Sequence, residues 1–231
     1  AATATAGSSF RSSSWRGGGA AGNLLTVEAW VKADAVAEGL LQPIFHAPSN
    51  PGSCARCQTA TAQGYNGVYL GLDGGRPILF MLSDPAAYGG VIAIVLATRT
   101  RDAVVQAGRW THLAATFNGT HSVMAVDGVP ALVQSGLPCN GSIHCDVNVV
   151  GLSAAPLAAS DAVASLGSAT FTPASAGGGT VTKFFKGQIG SLRLYKRALA
   201  VAEIAGLYRC PLLASTAGQL PVADMYASFD F

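Results

Sequence analysis

The chain has 231 residues, enough for one large all-β domain or two small ones; half of them are hydrophobic and only 11% are charged. A net charge of +2 carried by 14 Lys and Arg argues against a nucleic-acid partner, which needs basic residues gathered on one face. The longest apolar run, Val91 to Ala97, falls far short of the roughly 20 residues of a membrane helix, so direct membrane insertion is not expected either.

The first residues, AATATAGSSF, are small and polar, so any signal peptide would have been removed or lies outside this stretch. In LLTVEAWVK, Leu25, Val27, Ala29 and Val31 alternate with Thr26, Glu28, Trp30 and Lys32, the period of a strand with two different faces. LLQPIFH (Leu40 to His46) reads as a second strand with an edge-type proline. Gly67 to Leu82 reads as a hairpin turning at Asp73-Gly74-Gly75, and Val91 to Thr98 as the strand after it. From Trp110 the chain predicts a three-strand meander: Trp110 to Phe117, a turn at Asn118-Gly119, His121 to Val126, a turn at Asp127-Gly128, then Val129 to Val133. Asn-Gly and Asp-Gly tolerate the positive φ of type I′ turns, whose twist matches the strands they join.

Val147 to Leu152 and Phe184 to Lys196 predict two further strands. Between them, residues 153–182 are rich in Ala, Ser, Gly and Pro, too long for an ordinary connection and too poor in aromatics to fold alone, so they are expected to be a low-complexity surface insertion. The one helical pattern is short and late, Ala198 to Tyr208. Many strands and one helix predict a single all-β domain over residues 1–231, an antiparallel β-sandwich with one short C-terminal helix.

Cys54, Cys57, Cys139 and Cys145 form two close pairs and Cys210 stands apart, while Asn118 and Asn140 head N-glycosylation sequons. A sequon inside a cysteine-bracketed loop, CNGSIHC, points to the oxidising secretory route and an extracellular or cell-surface location. The five-residue gap in the second pair fits a zinc knuckle poorly, so disulfides are expected; four cysteines allow three pairings. Strand parity sends the loops Ala47 to Gln63 and Ser135 to Asp146 out at the same end of the sandwich.

The segments LTVEAWVKAD, GRWTHLAATFNGTHSVMAVDGV and GQIGSLRLYKRALAVAEIAGLY follow one another as in the laminin-G-like family, which the chain resembles from Leu25 to Tyr208. The resemblance implies a concanavalin A-like jelly roll, with Trp30 and Trp110 as core aromatics between the sheets. It also implies membership of a group that includes glycan-binding modules, adhesion modules and non-catalytic parts of large secreted enzymes. Three positions depart from the family pattern. Where members carry two acids after the late isoleucine, one of which can hold a structural calcium, Ile189 is followed by Gly190 and Ser191. The last helix keeps Glu203 but has Ala200 where a serine cap would stand. Residues 220–231 resemble the strand with which family domains begin, and are expected either to close the domain or to start a following repeat.

A glycosidase needs two carboxylates about 5 to 9.5 Å apart across a cleft. Glu28, the glutamate on a predicted strand, has no second acid two or four residues away, and there is no Gly-x-Ser-x-Gly elbow, so the chain is expected not to be an enzyme. The basic run Lys183, Lys186, Arg193, Lys196 and Arg197 is split between strand faces and reads as a solvated edge. Asp73, Asp102, Asp127 and Asp161 fall in loops at the end opposite the cysteines. Asp73 and Asp127, with the loop tyrosines Tyr65 and Tyr88, are the candidates for ligand binding, and Asp102, Asp161 and Asp230 for calcium, the cofactor such acids would hold. The reading that results is a non-catalytic recognition or adhesion module of a larger secreted or cell-surface protein, binding a glycan or another ectodomain. The alternatives are a structural module packed inside an extracellular assembly and, more remotely, a degenerate glycoside hydrolase-like domain.

Overall fold

Strand β1 (Leu24–Ala33) organises the molecule, because its two faces meet two different layers. The computed structural model describes residues 24–47, 68–82, 94–118, 122–135, 144–146, 164–171, 181–209 and 225–230. In chain order the strands after β1 are β2 (Leu41–Ala47), β3 (Val68–Asp73), β4 (Arg76–Leu82), β5 (Ile94–Thr100), β6 (Trp110–Asn118), β7 (Ser122–Val126), β8 (Val129–Pro130), β9 (Val133–Ser135) and β10 (His144–Asp146). Then come β11 (Ser165–Leu166), β12 (Ser168–Phe171), β13 (Val181–Phe184), β14 (Gly187–Tyr195), the helix α1 (Val201–Arg209) and β15 (Met225–Asp230).

One sheet has the order β15-β14-β1-β6-β7-β8, the other β10-β5-β4-β3-β2-β11 with β9 also on β5. The pairings are antiparallel except β10 on β5, which is parallel. The odd residues of β1, Leu25, Val27, Ala29 and Val31, face the other sheet together with Leu113, Ala115, Phe117, Leu192 and Leu194. Opposite them lie Phe45, Val68, Leu70, Leu72, Leu79 and Met81, so an antiparallel sandwich closes over a largely aliphatic core. Part of the outer face of the first sheet is covered by α1, whose Ile204 and Leu207, with Leu199 just before the helix, pack on Ala114, Ala125 and Tyr195.

Two of the three expected glycine turns form where expected; the third, Asn118-Gly119, lies outside the described residues from Gly119. Asp73 pairs Arg76 across Gly74 and Gly75, which have φ of +59° and +79°, and Asp127 and Gly128 adopt +51° and +75° between β7 and β8. The third strand of the meander is shorter than expected: after Pro130 the chain leaves β7 and crosses to the other sheet, where β9 pairs β5. Pro130 contributes no N–H to a longer ladder. The long strand expected over Phe184 to Lys196 is interrupted at Phe185 and Lys186, giving β13 and β14. Within the segment expected as a surface insertion, β11 pairs β2 and β12 pairs β13, and Ala169 is buried. Pro43 falls at a register irregularity of β2, next to the two-residue partner β11. Strand β15 pairs β14 within this chain. The strand expected at Val147 to Leu152 lies outside the described residues.

Trp30 and Trp110 do not sit between the sheets. Each alternates with residues that face the inner core, so both lie on the outer face of the first sheet, Trp30 against α1 and Trp110 beside it.

Candidate functional site

The centre of that outer face is polar and sealed. Thr26 and Glu28 stand on β1 with exposures of 0% and 1%, and Arg193 lies directly across on β14. Arg193 Nη1 donates to Glu28 Oε1 at 2.7 Å, and His112 Nε2 lies 3.2 Å from Glu28 Oε2. Glu28 is thus both hydrogen-bonded and buried. The rings of Trp30, His112 and Tyr208 close one side, with Trp30 stacked on Tyr208 at 5.8 Å between centroids. On the other side Thr26 Oγ1 accepts the N–H of Leu199 at 2.9 Å and donates to Arg197 O at 2.8 Å, tying the approach to α1 onto β1. Burial, then the charge of Glu28, pushes the Tyr195 hydroxyl far above the ordinary tyrosine range.

Helix α1 starts without its serine cap but not without a capping bond. The N–H of Ala200 donates to Glu203 Oε2 at 2.7 Å, one half of a capping box. Glu203 is also gripped by both terminal nitrogens of Arg197, at 2.6 and 2.8 Å, and these bonds hold its carboxyl below the usual range. Arg193 and Arg197 of the basic run are therefore taken up by Glu28 and Glu203, while Lys183, Lys186 and Lys196 are exposed.

The three described acids of the expected rim, Asp73, Asp102 and Asp127, come to one end of the sandwich, in the turns and loop there. Asp102 accepts the N–H of Leu132 at 2.9 Å. Asp127 takes Arg109 Nη2 on Oδ2 at 2.9 Å and the N–H of His112 on Oδ1 at 3.0 Å. Asp73 closes the β3–β4 turn against Arg76. Among the described residues no group of three His, Cys, Asp or Glu converges as a metal site, and Asp230 stands on β15, opposite Ser191. Tyr65, Tyr88, Asp161, Asn140, Cys54, Cys57, Cys139 and Cys210 lie outside the described residues; Cys145 is on β10 and Asn118 is exposed at the end of β6. Ala47, where β2 ends, pairs Val68 and lies at the same end as His144, which pairs Ile94, consistent with the expected parity of the two loops.

Beside the rim acids lies a feature that was not expected. Trp110 is 40% exposed, yet its six-membered ring reaches Gly190 two strands away, where a Cβ would stand 3.1 Å from Cη2 and Cζ3. Strands are about 4.8 Å apart, so the indole spans from β6 over β1 to β14 only by lying along the sheet with one face outward. The β1–β14 register shifts between Trp30 and Val31, which leaves Gly190 as the extra residue of a bulge. In register with Trp110 on β1 is Lys32, and with Lys32 on β14 is Gln188. Arg109 precedes the indole with its side chain 58% exposed. The signal for this placement was in the alternation: Trp110 shares parity with His112, Ala114 and Thr116, and Leu113, Ala115 and Phe117 have the other.

The sequence model of the Laminin_G_3 family, the concanavalin A-like lectin/glucanases superfamily, matches residues 5–205. The chain belongs to this family. No curated protein matches it. Among solved structures this laminin-G-like chain is similar to the binding domain of Paraclostridial Mosquitocidal Protein 1, with 13% identity and a TM-score of 0.44 over 80% of this chain and 37% of that one. It is similar to domain 4 of AbnA, an extracellular arabinanase from Geobacillus stearothermophilus solved with arabinotriose, with 19% identity and a TM-score of 0.46 over 80% of this chain and 66% of that one. Botulinum neurotoxin type C, with 8% identity and a TM-score of 0.44, is covered over 35% of its chain and covers 81% of this one. The laminin-G-like chain thus spans less than two-thirds of each.

Proposed function

We propose that this laminin-G-like domain is a non-catalytic recognition module of a secreted or cell-surface protein, and that it binds glycan at the rim beside Trp110. The observation that carries the reading is the exposed indole lying over Gly190, since an outward aromatic face next to polar groups is how a rigid scaffold holds a sugar ring. The family includes both lectins and glucanases, so the fold does not choose between them. Two of the three glutamates are unsuited to hydrolysis. Glu28 is enclosed beneath α1 with Arg193 and His112, and Glu203 is bound by Arg197 and the Ala200 N–H. A general acid must reach the glycosidic oxygen, and neither of these can do so without breaking the contacts that hold α1. The sequon headed by the exposed Asn118 and the two close pairs of cysteines in the sequence support the extracellular assignment.

A second reading, contact with another ectodomain, draws on Val129 and Leu132, each 65% exposed near the same end. A glycan array probed with the folded, glycosylated chain, in calcium and in chelator, tests the choice. Glycan binding supports the proposal; silence in both conditions, with no product released from polysaccharides, refutes it in favour of protein contact. Release of sugar products would overturn the non-catalytic assignment.

A further inference from the structure

We infer that the Trp110 platform selects an acidic sugar, a pyranose bearing a carboxylate or a sulfate; this rests on the glycan-binding reading above. The groups that flank the outward indole face are mainly donors. Lys32 stands directly across from Trp110, and none of the ion pairs among the described residues involves it. Arg109 gives one N–H to Asp127 and keeps the rest of its fork at the surface. Asp127, the acid beside them, has Oδ1 engaged by the His112 N–H and Oδ2 by Arg109. Lys32 and Arg109 stand against Asp127 near the ring, and further out the exposed Asp34 and Lys186 are joined through the backbone and offset one another. Gln188 supplies one amide, with a donor and an acceptor. A neutral sugar offers hydroxyls that must donate as well as accept, whereas a carboxylate or sulfate only accepts. The platform therefore matches a ring with an apolar face for the indole and an anionic substituent for Lys32 and Arg109.

Gly190 is the residue whose missing Cβ admits the indole. An aspartate at 190 would put its Cβ 3.1 Å from the Trp110 ring, so the indole must shift, and would place a negative charge beside Lys32 that competes with an anionic ligand.

The test uses the full chain against three sets of oligosaccharides, neutral, uronate-containing and sulfated, with wild type, Trp110→Ala, Trp110→Tyr, Gly190→Asp and Lys32→Gln compared. Thermal unfolding of each variant accompanies the binding curves. Uronate or sulfated glycans should bind best, and the stronger of those two arms identifies the anionic group. Trp110→Ala should weaken binding about tenfold, Trp110→Tyr about two- to threefold. Lys32→Gln should weaken acidic glycans about two- to fivefold and leave neutral ones unchanged, with an effect that shrinks in high salt. Gly190→Asp should abolish binding while the chain still unfolds cooperatively. Glycan binding that ignores Trp110→Ala and Gly190→Asp, or that favours neutral sugars, overturns this inference and leaves glycan recognition standing. Silence on all three sets overturns both.

Discussion

Replacing Glu28 by alanine should destabilise the domain far more than its single charge suggests. The carboxylate is 1% exposed and bonded to Arg193 at 2.7 Å, and the Arg193 side chain is itself only 8% exposed. Removing it leaves a guanidinium in a site closed by α1 and the Trp30–Tyr208 stack. Breaking one partner out of a buried pair costs about 3–5 kcal/mol, because the surviving charge keeps its desolvation penalty. A domain of this kind is stable by about 5–15 kcal/mol, so the change removes a large part of the total and lowers Tm by on the order of 10 °C. Urea unfolding followed by far-UV circular dichroism reads the loss directly, provided the slope with denaturant is unchanged. Combining Glu28→Leu with Arg193→Met should recover most of it, since both charges then leave together. A loss below about 1 kcal/mol for Glu28→Ala is the size of a surface ion pair and would refute the sealed-cluster argument.

Thr26→Val keeps the shape of the side chain but strands the Leu199 N–H and the Arg197 carbonyl, at a cost of about 1–3 kcal/mol measurable by thermal unfolding. Gly128→Ala must hold a Cβ at a φ of +75° and 2.9 Å from Tyr208 Cβ. The backbone alone costs about 1–2 kcal/mol, and the displaced Tyr208 should change the near-UV circular dichroism of Trp30. For pH, Arg197 lowers the Glu203 pKa more than burial raises it. The stabilisation from Glu203 is then complete above the ordinary glutamate value of about 4.3 and is lost as pH falls through the lower folded value. Acid unfolding of the wild type should accordingly fall more steeply below about pH 4.3 than that of Glu203→Gln.

The strands near one another in sequence were legible because their signals are local. Alternation placed β1, and Asp73-Gly74-Gly75 and Asp127-Gly128 fixed two turns, because these residues meet the φ requirement themselves. The pairing of β1 with β14 joins residues about 165 positions apart, and no local pattern announces that Arg193 will face Glu28. The parallel contact of β10 with β5 is equally non-local. The tryptophans show a different failure: their parity opposed Val27 and Leu113, but the family resemblance put them in the core and overrode the alternation. Asp73, Asp102 and Asp127 stand in turns and loops, as their sequence context implies. An acid in a tight turn has backbone N–H groups close by, and Asp102 and Asp127 spend themselves on those.

The sealed cluster and the open platform follow from one mismatch of lengths. Helix α1 has nine residues, about 13 Å of helix. Strand β1 has ten residues and runs about 33 Å, so in no direction can this helix cover the whole outer face. What it covers is the stretch around Thr26, Glu28 and Trp30, where burying a carboxylate is tolerable because Arg193 and His112 lie across from it. Tyr208, on the last turn of the helix, stacks on Trp30 and marks where cover ends. One residue pair further along β1 the sheet presents Lys32 and Trp110 to solvent. The cation is suited to water and the indole is kept flat by Gly190, so this part of the face stays structured without a helix over it. The acid beneath the helix is thus structural, while the part of the face around Lys32 and Trp110 is left for recognition.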